Sequence, residues 1–204
     1  MKFQDGQTIV FIGDSITDCG RREDRAPYGD GYVSLVRALV SARHPQPRLN
    51  WVNRGISGDT VRDLAARWES DAVAPGPDWL SVMIGINDVW RAFGDRPDEA
   101  VPIDEYESTL RALLAEAGCP LIIATPYLIE PDRADPQRAR SDRYADVARR
   151  VAADLGALLV DTQALFDRLL EHRGATAWAP DRVHPGLEGH TALALAFLEV
   201  IESR

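Results

Sequence analysis

Five short runs of Val, Ile and Leu punctuate the chain at residues 8–13 (TIVFIG), 49–55 (LNWVNRG), 79–85 (WLSVMIG), 120–126 (PLIIATP) and 157–162 (ALLVDT). They are almost continuously apolar instead of alternating with polar positions, the pattern of strands buried on both faces. Between them the spacing turns helical. From Asp59, the apolar positions Val61, Leu64, Ala65 and Trp68 recur at helical intervals. From Asp104, read as a cap with Glu107 three residues on, Tyr106, Leu110, Leu113 and Leu114 do the same. Further helices fit 31–42, 137–155 and 186–202. Strands alternating with helices predict an α/β fold, a five-stranded parallel sheet covered on both faces in a three-layer α/β/α sandwich. The segments 21–30, 89–103 and 127–141 are rich in Pro, Asp and Arg and read as surface loops.

Length and composition narrow the classes. With 204 residues and 45% hydrophobic content, the chain is long enough for one sizeable core and short for two, so a single domain spanning 1–204 is expected. A formal net charge of −9 argues against nucleic acid as a partner, because a polyanion requires a basic surface. No apolar run reaches membrane-spanning length, and MKFQDGQTIVF enters a strand without a signal-peptide pattern; a cytoplasmic protein with no membrane partner is expected. The only cysteines, Cys19 and Cys119, have no metal-type pairing and read as two reduced thiols.

In parallel sheets, functional groups gather where strands exit at their carboxyl ends. The first exit delivers Ser15 in GDSITD, the second Gly58 in GISGDT, the third Asn87 in GIND, and a late loop supplies Asp181 and His184 in DRVHP. Singly, Ser15 reads as a helix cap, Gly58 as a turn, and Asn87 with Asp88 as a turn and cap. Jointly they match the demands of acyl transfer. A serine nucleophile needs a base, and the base needs an orienting carboxylate; His184 and Asp181 provide both from one loop. The tetrahedral intermediate needs donors for its oxyanion, which the N–H of Ser15, the N–H of Gly58 and the amide of Asn87 would supply from adjacent exits.

On these four blocks the sequence resembles an SGNH hydrolase of the GDSL esterase and lipase superfamily. The stretches IGDSITDCGR, GISGDTVRDLAARWE, PDWLSVMIGINDVWR, DEYESTLR and VDTQALF are similar to one branch, the intracellular acetylxylan esterases that act on xylo-oligosaccharides. The resemblance implies a flavodoxin-like SGNH hydrolase fold, a Ser15–His184–Asp181 triad, and removal of short acyl groups, acetyl groups of sugars above all. It implies no metal or organic cofactor, and it brings a symmetric homo-oligomer into view as an option. Departures from the branch concentrate in 21–30, 127–141 and WAPDRVHPG.

Other residues carry weaker readings. Asp14 and Asp88 would oppose a developing negative charge and are expected to fix loops by accepting backbone N–H groups; Asn53 and Arg54 are expected to brace the second loop. Cys19, a rival nucleophile, should lie one helical turn beyond Ser15, buried as a small hydrophobe. His44 and His172 read as surface residues and His190 as helix scaffolding. Trp90, Tyr127 and Trp178 stand near strand exits, where they could stack on a sugar ring or pack in the core. The alternatives to a short-chain esterase are a thioesterase or lysophospholipase with a long apolar groove, and, in a different class, a flavodoxin-like domain binding an anion or carbohydrate without catalysis.

Overall fold

A computed structural model describes residues 1–23 and 27–203; of the expected loop 21–30, residues 24–26 lie outside the described residues. The strands are β1 (Thr8–Gly13), β2 (Asn50–Gly55), β3 (Trp79–Met83), β4 (Leu121–Ala124) and β5 (Leu158–Val160). The helices are α1 (Ser15–Asp18), α2 (Tyr32–Arg43), α3 (Val61–Ala66), α4 (Ile86–Trp90), α5 (Ile103–Glu116), α6 (Pro136–Asp154), α7 (Thr162–Leu170) and α8 (Leu187–Glu202). All strand pairs are parallel, in the order β2-β1-β3-β4-β5. This is the flavodoxin-like doubly wound order, with its switch point between β1 and β3.

The near-continuous apolarity of β1 has a direct cause. Ile9 and Phe11 enter one core with Val36 of α2 and Phe197 of α8, whereas Val10 and Ile12 enter the other with Leu64 of α3, Leu110 of α5 and Val147 of α6. Both faces of the strand are therefore covered from Ile9 to Ile12, and no position between them remains for a polar side chain.

Register places the exits side by side. Gly13 pairs with Gly55 on one flank and with Met83 on the other, so β1, β2 and β3 end in line. Helix α1 then folds back directly onto β2: a Cβ on Gly55 would lie 2.1 Å from the Asp18 nitrogen, and one on Gly13 would lie 2.2 Å from the Met83 carbonyl oxygen. Only glycine permits that approach. Arg67 ties the same corner together, donating to the carbonyls of Gly13 (3.0 Å) and Arg54 (2.7 Å) and to the Asp59 carboxylate (2.7 Å).

Several expected boundaries shift for local reasons. Helix α5 starts at Ile103 after Pro102, whose φ of −60° already suits the entry, so Asp104 lies inside the first turn and is not the cap. Helix α3 is capped by Thr60 in a reciprocal box with Asp63, and a π-helical turn, Glu69–Val73, follows Trp68. The segment 127–141 is not a surface loop throughout: Tyr127, Leu128 and Ile129 are fully buried, and α6 begins at Pro136. Helix α7, capped by Asp161 accepting from the Ala164 N–H, was not anticipated.

Candidate active site

Ser15 is the first residue of α1, immediately after β1. Asp14 caps the helix from extended backbone, accepting the Ile16 N–H at 3.0 Å. Helix α1 lasts only four residues because Cys19 turns into the left-handed region at φ 40°, ahead of Gly20. The Ser15 hydroxyl lies 2.8 Å from Nε2 of His184, and Nδ1 of His184 lies 2.6 Å from Oδ2 of Asp181. With the Nδ1 proton donated to the carboxylate, Nε2 is left as the acceptor for the serine proton. The other carboxylate oxygen, Oδ1, accepts the N–H groups of Val183 (3.0 Å) and His184 (2.8 Å). Partial burial of Asp181 favours its neutral form, but hydrogen bonds from the His184 ring and from the His184 and Val183 N–H groups outweigh it and hold the carboxyl below its ordinary range.

Gly58, after β2, has φ +88° and open space where a Cβ would stand. Its carbonyl accepts from Arg91 Nη2 at 2.7 Å, and the neighbouring Asp59 carbonyl accepts from Asn87 Nδ2 at 2.9 Å. The turn carrying Gly58 is thus held from the third exit, where Asn87 is the second residue of α4. Asp18 supports the same turn by accepting the Ser57 N–H at 3.0 Å. Asn53 bridges the first and second exits, donating to the carbonyls of Thr17 (2.7 Å) and Tyr28 (2.9 Å) and accepting the Gly55 N–H (2.8 Å).

Asp14 and Asp88 are buried and accept backbone N–H groups, Asp88 that of Val61 at 3.1 Å. Burial pushes both carboxyls up to about 7 against the pull of those hydrogen bonds, and Asp88 and Asp59 raise Asp14 further. A carboxyl that retains its proton towards neutrality opposes an oxyanion less than a carboxylate does.

The three aromatic candidates separate. The Trp90 ring lies 6.3 Å from the His184 ring, at the site. Tyr127 does not line a pocket: it is fully buried, packs on Phe166 at 4.6 Å, and donates its hydroxyl to the Val183 carbonyl at 3.2 Å, bracing the turn that carries His184. Trp178 packs partly buried against the core, with its carbonyl accepting the Gly186 N–H at 2.8 Å and its indole donating to Arg173 O at 3.3 Å. Cys19 also departs from expectation. It is a half-buried, left-handed cap whose sulfur lies 3.4 Å from Nε2 of His190. His190 accepts the Tyr32 N–H on Nδ1, and burial lowers its pKa to about 4, so the ring is neutral and Nε2 carries the proton. The supporting roles of Arg67, Arg91 and Arg182 were not read from the sequence. Arginines are frequent along this chain, and nothing in their spacing separates these three.

Beside the Ser15 hydroxyl lies a pocket of about 360 Å³ whose walls include Asp18, Arg22, Glu23 and Ser57. Among the described residues, no group of three or more His, Cys, Asp or Glu side chains is arranged to hold a metal ion, and no helix is long and apolar enough to cross a membrane.

A serine meeting a carboxylate-oriented imidazole at the carboxyl edge of a parallel sheet defines a serine hydrolase. Residues 11–192 match the GDSL-like Lipase/Acylhydrolase family, and the chain belongs to that family of carboxylic ester hydrolases. The acetylxylan esterase of Geobacillus stearothermophilus is 47% identical over 213 aligned positions, covering 98% of this chain and 96% of that protein. Its crystal structure superposes with a TM-score of 0.95 at 45% identity, over 100% of this chain and 98% of the other. An alpha/beta hydrolase enzyme from the metagenome of Lake Arreo, Spain, superposes with a TM-score of 0.93 at 49% identity, over 98% and 97% of the two chains. Catalytic mutants of the Geobacillus enzyme, changed at a serine, an aspartate and a histidine, superpose as closely.

Proposed function

We propose that Ser15, His184 and Asp181 hydrolyse short acyl esters, and that the physiological esters are acetyl groups on sugars of the xylo-oligosaccharide kind. The observation that carries the reading is the continuous relay from the Ser15 hydroxyl through His184 to Asp181, at 2.8 and 2.6 Å. His184 takes the Ser15 proton as the hydroxyl attacks the ester carbonyl. Asp181 keeps the imidazole in the required tautomer and balances the imidazolium. The N–H groups of Ser15 and Gly58 and the free amide hydrogen of Asn87 meet the oxyanion. His184 returns the proton to the leaving sugar oxygen, then activates water to release acetate from the acyl-enzyme.

The substrate class is supported by two observations. The name of the Geobacillus relative, at 47% identity, is acetylxylan esterase. The pocket beside Ser15 has Asp18, Arg22, Glu23 and Ser57 among its lining residues, hydrogen-bonding groups suited to a hydroxyl-rich alcohol.

The test compares acetylated xylo-oligosaccharides with aryl esters from acetyl to octanoyl, for the wild type and Ser15→Ala. Turnover should favour the acetylated oligosaccharide, fall steeply beyond short acyl chains, and vanish in Ser15→Ala. Retained turnover in a folded Ser15→Ala protein overturns the mechanism, and a preference for octanoyl esters overturns the substrate class.

A further inference from the structure

Between the acid and the base of the relay stands Arg182 at φ +70°, a region that L residues other than Asn and Asp seldom enter. This residue lies inside the 181–184 turn, in which Asp181 Oδ1 receives two successive N–H groups while Oδ2 faces the imidazole. A left-handed arginine is intrinsically unfavourable, so its surroundings must hold it there.

The hold comes from one neighbouring segment and the start of α6. Ile129 donates its N–H to the Arg182 carbonyl at 2.8 Å, and Arg182 Nη1 donates to Glu130 Oε2 at 2.7 Å. Gln137 Oε1 lies at 3.4 Å and Asp135 at 3.6 Å from the same guanidinium. The Glu130 side chain is only 17% exposed, so the pair is shielded from solvent on one side. Its backbone is anchored in turn: Arg138, buried to 1% exposure, donates to the Glu130 carbonyl and pairs with Asp142 and Asp167.

We propose that Glu130 and Arg182 form a latch that keeps the Asp181–His184 turn in register with Ser15, making Arg182 a positioning residue that acts through His184. The latch rests on the reading of His184 as the base. Because it fixes geometry and does not bind substrate, it contributes to kcat and leaves KM in place.

The experiment measures kcat and KM on an aryl acetate for Arg182→Ala, Arg182→Gly, Arg182→Lys, Glu130→Ala and the Arg182→Ala/Glu130→Ala pair, with active sites titrated by a serine-directed fluorophosphonate. Misplacing a catalytic group by a fraction of an ångström lowers kcat on the order of tenfold to a hundredfold, with KM within about twofold. Arg182→Lys, which can still reach Glu130, should recover most of the loss. The double variant should be no slower than Arg182→Ala, because Glu130 acts through Arg182. Glycine adopts φ +70° without penalty, so Arg182→Gly keeps the backbone but lacks the guanidinium and should also lose kcat. A wild-type kcat per titrated site in Arg182→Gly, losses that add in the double variant, or a rise in KM at constant kcat each overturn the latch. Any of these beside an inactive Ser15→Ala leaves the triad reading intact; turnover by Ser15→Ala overturns that reading instead.

Discussion

Asn87 donates one amide hydrogen to the Asp59 carbonyl at 2.9 Å, and this bond orients its amide group while leaving the second hydrogen for another acceptor. The same side chain therefore steadies the turn that presents Gly58 and would contribute a donor of its own. Replacing it with Ala should lower kcat by roughly 10²–10³-fold, the usual effect of losing one oxyanion donor, with a smaller change in KM. The Asp59 carbonyl loses a partner as well, so thermal unfolding should show a stability loss of about 1 kcal/mol. Steady-state kinetics with an aryl acetate would refute the role if kcat stayed within threefold of the wild type, an effect of about 0.6 kcal/mol.

Asp181→Asn separates orientation from loop folding. The carbonyl oxygen of the amide can still accept the Val183 and His184 N–H groups that Oδ1 accepts now. Its NH₂ would then face Nδ1 and impose the wrong imidazole tautomer. A kcat lower by about 10³–10⁴-fold in a protein of near wild-type melting temperature is expected. Comparable activity in the two proteins would remove Asp181 from the relay.

Tyr127→Phe tests the placement of that ring in the scaffold. The substitution removes the bond to the Val183 carbonyl and little else. Stability should fall by about 1 kcal/mol while KM for acetylated xylo-oligosaccharides is unchanged. A selective rise in KM for the oligosaccharide over an aryl acetate would return Tyr127 to the substrate pocket.

The buried Asp88 carries a pH signature of definite sign. Its carboxyl titrates near 7 in the folded protein, raised by burial, against about 3.9 in an unfolded chain. Between those values the folded state holds a proton that the unfolded state has released, so this group's contribution to stability falls as pH rises from about 4 to about 7. Asp88→Asn resembles the protonated form at every pH and can still accept the Val61 N–H. Its melting temperature should therefore gain on the wild type across that window and hold a constant lead above it. A difference independent of pH would contradict the shift; Asp14, displaced in the same direction, does not alter the sign.

Some of this architecture is written plainly in the chain. The strands were legible because both faces of β1 are covered, as Ile9 and Val10 show by entering opposite cores. The serine, glycine, asparagine and Asp–His blocks were legible because they sit at strand exits, and parallel register aligns exits without further information. Helix α7 was missed because its nine residues follow a three-residue strand, too short a pattern to stand apart from the loop around it. The choice for Tyr127 between sugar stacking and core packing stayed open because an aromatic residue at a strand exit looks the same in sequence whether its ring turns inward or out. The left-handed turn at Arg182 left no trace, since the groups that hold it, the Ile129 N–H and the Glu130 carboxylate, lie more than fifty positions away.

Ser15 and His184, the nucleophile and base of the proposed mechanism, are 169 positions apart in sequence, which gives the site a history during synthesis. At about 5–20 residues per second, roughly 8–34 s separate the making of Ser15 from the making of His184. Through that interval the serine, its helix and the glycine that α1 rests on can all be in place, yet the hydroxyl has no base to activate it. On the proposed mechanism, a nascent chain should be silent towards esters until the 181–184 turn has left the ribosome and docked. Ester turnover in a translation reaction would mark the moment at which the polypeptide closes on itself.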